Sequence, residues 1–253
     1  NSSMRARITL EAKKNIKFTE GFNQTLHSLI YNHLQECDTD WLLEYGVVFK
    51  KRTFNLFVFS SFLERGSFYK KDNSYIFPNS ISFMLSSPVD WVMNTITQNL
   101  MQKGMIKVGD NELKPVGLDI LEPQKIVNNT IDVRAVSPIT VYRKIDEDTK
   151  DERLKFFSPF DEEFSRLISK NLQQKWIAFY GASCPYTIEV EPLFKKKKYN
   201  KTYYFKENND PNVIKGWMGD YKLSGDMELL QFAFETGLGY NNNHGFGMIE
   251  AVG

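Results

Sequence analysis

The sequence predicts an α+β fold of two tandem βαββαβ units, and three observations predict it. A chain of 253 residues suits two domains of about 125 at roughly 100–200 residues per domain. A content of 42% hydrophobic and 25% charged residues belongs to an ordinary globular protein with apolar residues enough for a core. The apolar pattern switches between strand spacing and helix spacing, and it does so in the same order twice.

The elements follow in order. Alternation through Arg5, Ala6, Arg7, Ile8, Thr9 and Leu10 gives a strand over 5–10. Leu26, Leu29, Ile30, Leu34 and Cys37 share one face of a helix over 22–36. Residues 53–60 are rich in aromatic and β-branched side chains and read as a buried strand. Residues 75–77 and 80–85 give a further strand or bent strand pair. Ser87-Pro88 opens a helix to about residue 103, with the proline at an early helical position. Residues 105–108 and 113–121 are extended. The order is the split ferredoxin-like unit.

The second half repeats it. Residues 133–143 are extended, and Ser158, Pro159, Phe160 and Asp161 open a helix to about 176. Residues 186–191 alternate as a strand, while 199–205 and 214–223 are extended. A helix over 226–236 and a strand over 245–252 close the chain. The expected domains are 4–124 and 130–253, joined near Pro123 to Thr130. The repeat lies in element order, not in sequence identity.

Composition narrows the chemistry. Against 31 Asp+Glu stand 32 Lys+Arg, a formal net charge of +1, which excludes a bulk polycation and leaves a local basic groove open. Two cysteines, Cys37 and Cys184, argue against a disulfide framework or a cysteine zinc site and fit a reducing cytoplasm. The three histidines, His27, His33 and His244, form no metal-binding pair, so neither a metal nor another cofactor is expected. No apolar run is long enough for a membrane span and no signal peptide is expected, because the chain starts in a strand. The aromatic content, 14%, is mostly core material, with a few rings available for stacking.

Residues 236–248 read Thr-Gly-Leu-Gly-Tyr-Asn-Asn-Asn-His-Gly-Phe-Gly-Met. Glycines permit positive φ and close backbone approach to a ligand. Nucleotide-binding glycine loops run from strand to helix, placing phosphate on a helix N-terminus. This one runs from helix to strand, which argues against both nucleotide motifs. A helix C-cap at Gly237 followed by a turn explains part of it, but four glycines exceed what a cap needs.

The stretch from Gly237 to Glu250 closely resembles the C-terminal glycine-rich signature of the CRISPR repeat-RNA endoribonucleases, which process CRISPR precursor transcripts. The resemblance extends along the chain. Residues 4–10 look like that family's opening strand, and Phe22, Asn23, Leu29, Ile30 and Tyr31 like its first helix. Residues 54–60 are similar to its second-strand motif. Ser137-Pro138-Ile139, Asn171-Leu172 with Lys175, and Gly225-Asp226 with Glu228-Leu229-Leu230 resemble landmarks of its second half. The resemblance implies two tandem ferredoxin-like (RRM-like) domains and metal-independent RNA cleavage. The ribose 2′-OH attacks the adjacent phosphorus, leaving a 2′,3′-cyclic phosphate and a 5′-OH. Such a reaction needs alignment of a nucleophile already held close, a base and an acid near neutrality, and charge stabilisation of the phosphorane.

Family members typically carry a histidine after the first helix in a Leu-His-x-x-Gly pattern. This chain reads Trp41-Leu42-Leu43-Glu44-Tyr45-Gly46, with Leu43 at that place, and Asn55 stands near a lysine that some members carry. Tyr31 matches the family's helix tyrosine. His27, four residues earlier, projects from the same side of the helix, so the two are candidates for a relocated base and positioning group. The alternative is a surface histidine on an amphipathic helix. His33 falls within the apolar stripe, as a buried histidine or a second catalytic candidate beside Tyr31.

Lys50, Lys51 and Arg52 lie in a stretch without acids from Tyr45 to Leu63. Lys51 is the candidate for the scissile phosphate and the other two for RNA contact, the alternative being a solvated hairpin tip. Lys195, Lys196, Lys197, Lys198, Lys201 and Lys206 form an acid-free tract interleaved with Tyr199, Tyr203, Tyr204 and Phe205. Lysines neutralise phosphates and aromatics stack on bases; the alternative is an edge hairpin blunted by lysine. Gly237, Gly239, Asn242, His244, Gly245 and Gly247 are candidate RNA contacts of the loop. The expected partner is CRISPR repeat RNA or its precursor, with an effector complex and a homodimer left open. Two readings stand side by side: a processing endoribonuclease, and a weakly active or inactive member that holds repeat RNA.

Overall fold

The computed structural model describes residues 4–19, 25–30, 47–49, 52–54, 56–146, 153–195, 200–207 and 210–253. The first half is built on strands β1 (Met4–Glu11), β2 (Val58–Phe59), β3 (Ser80–Ser87) and β4 (Asn111–Leu121). A helical stretch at residues 25–30, α1, lies between β1 and β2, and α2 (Asp90–Gln102) lies between β3 and β4. The strand order is β2-β3-β1-β4, extended at β4 by Ile106–Val108, and every pairing is antiparallel. Alternation along β1 buries Ala6, Ile8 and Leu10 completely, and they join Leu26, Leu29 and Ile30 of α1 and Met93 and Ile96 of α2 in one core. Pro115 sits where the β1–β4 register shifts between Thr9 and Leu10, a bulge that tolerates its missing N–H.

The second half repeats the arrangement with β5 (Thr130–Ala135), α3 (Glu162–Tyr180), β6 (Ile188–Pro192), β7 (Asp220–Gly225), α4 (Met227–Thr236) and β8 (Ile249–Ala251). Its order is β6-β7-β5-β8, again antiparallel. The chain is therefore α+β, two tandem ferredoxin-like units. No helix among the described residues is long and apolar enough to cross a membrane.

Several elements differ from the sequence expectation: the stretch expected over 133–143 divides into β5 and a short strand Tyr142–Lys144, and the strand expected over 245–252 forms only over Ile249–Ala251. The strand expected over 53–60 divides: Arg52–Phe54 pairs with Val47–Phe49, and only Val58–Phe59 joins the sheet. Phe57 and Phe59 enter the first core while Val58 points into a separate cluster with Met84 and Met248. Pro88 precedes α2 instead of starting it, because the Ser87 hydroxyl turns the chain there, accepting from the Val89 N–H at 3.0 Å. The extended stretch expected over 214–223 breaks at Gly219, whose φ is 102°. Its first part belongs to a projecting hairpin, Asn200–Glu207 with Asp210–Trp217.

The halves meet along a continuous seam. The Arg5 guanidinium, leaving the outer side of β1, donates to the carbonyls of Phe234 at 3.0 Å and Ile249 at 2.8 Å. Ser86 donates to the Glu235 carbonyl at 3.1 Å, and the Ser61 N–H to the Val136 carbonyl at 3.0 Å.

Candidate nucleic-acid interface

The glycine loop starts where α4 ends. Gly237 caps the helix, its N–H donating to the Ala233 carbonyl. The loop then folds on itself and on the segment after β5. Leu238 N–H donates to Gly247 at 2.8 Å, Gly247 N–H to Pro138 at 2.8 Å, and Tyr240 N–H to Thr140 at 2.9 Å. Gly247 has φ 86°, and a Cβ there would lie 1.9 Å from the Leu238 carbonyl oxygen, so no other residue fits. At Gly245 a Cβ would lie 2.6 Å from the Phe59 ring of the first half. That glycine lets the loop press against β2.

A buried lysine holds the loop from below. Lys175, on α3 and only 4% exposed, donates to the carbonyl of Gly239 at 3.1 Å and to Asn242 Oδ1. Asn242 turns inward as well, its amide donating to Leu238 at 3.1 Å and Phe246 at 2.9 Å. Opposite, the Tyr142 hydroxyl donates to Asn241 Oδ1 at 2.6 Å. The loop is thus a braced platform in which the Asn242 side chain is committed internally.

At its tip the loop meets α1. The rings of His27 and His244 stack at 4.2 Å between centroids and 8° between planes. His27 Nδ1 lies 2.6 Å from the Asn243 carbonyl oxygen. A carbonyl oxygen only accepts, so Nδ1 carries the proton and Nε2 is the basic nitrogen of the neutral ring. Burial holds the His244 imidazole below its ordinary pKa. A histidine from each half therefore converges at one point.

Of the other sequence candidates, Tyr31, His33, Lys50, Lys51, Lys196, Lys197 and Lys198 lie outside the described residues, as do Leu43 and Asn55. Arg52 falls on the strand Arg52–Phe54. Lys195 is exposed at the foot of the lysine tract. Lys201 is paired in register with Gly216 at the base of the projecting hairpin. That base leans on the loop, because Ile214 and Phe246 pack together and a Cβ at Gly216 would lie 3.6 Å from Phe246.

Sequence reasoning missed a second basic group beside the loop. Tyr142–Lys144 pairs with Leu154–Phe156 and presents Arg143 and Lys155 over the Phe157 ring at 5.9 and 5.5 Å. Both face Glu163, whose carboxyl is held below its ordinary pKa first by its hydrogen bond from Arg166. Arg166 in turn faces Tyr240 of the loop. No local signal marks these residues, because they come from separate segments.

Residues 16–114 match the family model described as CRISPR-associated protein Cas6, N-terminal, and residues 121–251 match the one described as CRISPR associated protein Cas6, C-terminal. The CRISPR-associated endoribonuclease Cas6 1 of Methanocaldococcus jannaschii is 26% identical, the alignment covering 99% of this chain and 93% of that protein. The solved structure of a Cas6-related gene product of Pyrococcus furiosus superposes with a TM-score of 0.82 at 21% identity, over 99% of each chain. A structure described as a RAMP protein binding different RNA substrates gives a TM-score of 0.80 at 18% identity, over 99% of this chain and 100% of that one.

Proposed function

Because the chain belongs to the Cas6 family of CRISPR-associated proteins, we propose that it is an endoribonuclease that binds CRISPR repeat RNA and cuts precursor CRISPR RNA within the repeat. The observation that carries this reading is the convergence of His27 with the braced glycine loop. A proton-transfer group from the first half sits there against a loop of the second half flanked by basic side chains.

In this reading the attacking group is the substrate's own 2′-OH. Binding aligns it with the adjacent phosphorus, and the reaction proceeds without a metal ion. His27, held by Asn243 through Nδ1, takes the 2′-OH proton on Nε2. Lys51 stabilises charge on the phosphorane, and Tyr31 or His33 completes the proton transfers. The backbone of the loop, with His244, contacts the RNA, and Lys50, Arg52 and the tract from Lys195 to Lys201 neutralise its phosphates. We place the domains at 4–124 and 130–253. Support comes from the tautomer of His27, from the hydrogen bonds that brace the loop and from the names of the relatives.

The second reading is a member that holds repeat RNA without efficient cleavage, for delivery to an effector complex. Leu43, in place of the family's usual histidine, favours it. Incubation of a repeat RNA with the protein in EDTA, followed by end-group analysis, separates the two. A 2′,3′-cyclic phosphate and a 5′-OH are expected, and a 2′-deoxy substitution at the cut abolishes them. Tight binding without product selects the second reading.

A further inference from the structure

Separate from the main sheets, a small sheet of three strands belongs to the first half. It consists of Ile16–Phe18, Ser74–Phe77 and the edge strand Ser67–Tyr69. Every residue of the edge strand is exposed. Two of them are large aromatics, Phe68 at 49% and Tyr69 at 51% exposure. Adjacent residues of a strand point to opposite faces, so each face carries one ring. In the row Phe18–Tyr75–Phe68, burial decreases outward. Phe18 is in the core, Tyr75 is half-buried, and Phe68 rests on Tyr75 at 4.9 Å with its outer side in solvent.

The stem beneath is tightly packed. Phe77 packs on Phe18 and Phe62, and a Cβ on Gly66 would lie 2.7 Å from the Phe77 ring. The charge around the rings is one-sided. Arg65, Lys70 and Lys71 are exposed and make no ion pair among the described residues. The two carboxylates within residues 64–77 are both engaged. Glu64 accepts from the N–H and hydroxyl of Ser82. Asp72 accepts from Lys17 at 2.6 Å and from Ser74 at 3.1 Å.

Exposed rings on a packed hairpin, flanked by cations with no ion pair among the described residues and with the hairpin's own carboxylates engaged, match the chemistry of an unpaired polynucleotide, whose bases offer open faces and whose backbone offers phosphates. We propose that this sheet is a second RNA-binding surface, which takes single-stranded RNA by stacking bases on Phe68 and Tyr69 and pairing phosphates with Arg65, Lys70 and Lys71. The inference rests on the reading of the chain as an RNA-binding protein. It adds a surface for RNA outside the segment held at the glycine loop.

The test uses the full chain and a fluorescein-labelled oligouridine of about ten nucleotides. Phe68→Ala with Tyr69→Ala weakens binding at least about tenfold, as removal of two stacking platforms requires, and leaves the slope of log K against log salt unchanged. Lys70→Glu with Lys71→Glu reduces that slope by about 1.4, at about 0.7 for each phosphate of a single strand that is no longer neutralised. A 4-thiouridine version photocrosslinks within residues 65–75. Both pairs are solvent-exposed, so the variants keep the parent's thermal midpoint. Unchanged affinity in the aromatic variant together with no crosslink in 65–75 overturns the inference, and so does an equal loss of affinity for a duplex RNA. Cleavage of repeat RNA in EDTA by the same preparations tells the two failures apart. A parent that cleaves the repeat while its hairpin variants bind oligouridine normally refutes only the second surface. A parent that binds no RNA refutes both.

Discussion

His27 and His244 come from positions more than two hundred residues apart and lie ring on ring. The stack and the Asn243 carbonyl hold one tautomer of His27 at the loop tip, as the proposed role of base requires. His27→Ala lowers single-turnover cleavage of repeat RNA at least about 100-fold, the low end of general acid–base effects, with RNA affinity in filter binding largely retained. His244→Ala removes the stack but keeps the His27 ring and its carbonyl partner, so its cleavage falls by less. Equal losses in the two variants would assign the pair to holding the halves together. Legibility differed residue by residue. The glycines were readable because positive φ is a local demand. Lys175 was readable only as a landmark of a resemblance, since nothing in a sequence distinguishes a buried lysine from a solvated one. Asn242 read as an RNA-facing loop residue and turned out to brace the loop from within.

At the scale of elements, α2, α3, α4 and the strands β1, β3, β4 and β6 follow from apolar spacing that is local and strong. The misses came where context outweighed local pattern. The aromatic run over 53–60 has strand propensity throughout, yet only Val58 and Phe59 pair in the main sheet, because side chains must reach two different cores. Of the lysine tract, Lys201 and Lys206 fall on the hairpin Asn200–Glu207 with Asp210–Trp217, and the charge of the tract makes its own prediction. If these lysines neutralise phosphates, replacing Lys195 to Lys198 by alanine reduces the log–log salt slope of repeat-RNA binding by about 0.7 for each phosphate released. An unchanged slope would make the tract an edge protected against strand pairing.

Across the whole molecule, the seam between halves holds two titratable groups, Arg5 and His244, against backbone and rings of the other half. Burial pulls the Arg5 guanidinium down to about 10, against the pull of Glu250. It stays charged at neutral pH and clamps two carbonyls of the second half. His244 lies in the same seam with its pKa lowered by burial. The unfolded chain therefore binds that proton more readily than the folded one. Stability is full above the ordinary imidazole pKa of about 6.5 and is lost as pH falls through it toward the lowered folded value. Thermal midpoints followed by circular dichroism drop between about pH 7.5 and 5.5, and His244→Asn shrinks that drop. An identical drop in the variant would show that His244 does not link pH to stability.

From its residue order alone the chain determined two ferredoxin-like units, a helix-to-strand glycine loop and the family resemblance, because periodicity, turn chemistry and motif spacing are written in neighbouring residues. Only the tertiary structure decided that the loop presses on Phe59 and His27, that Lys175 carries it from beneath, and that Phe68 and Tyr69 stand in solvent instead of a core. Those outcomes depend on which distant segments share a surface, and water exposure is a property of the packed whole.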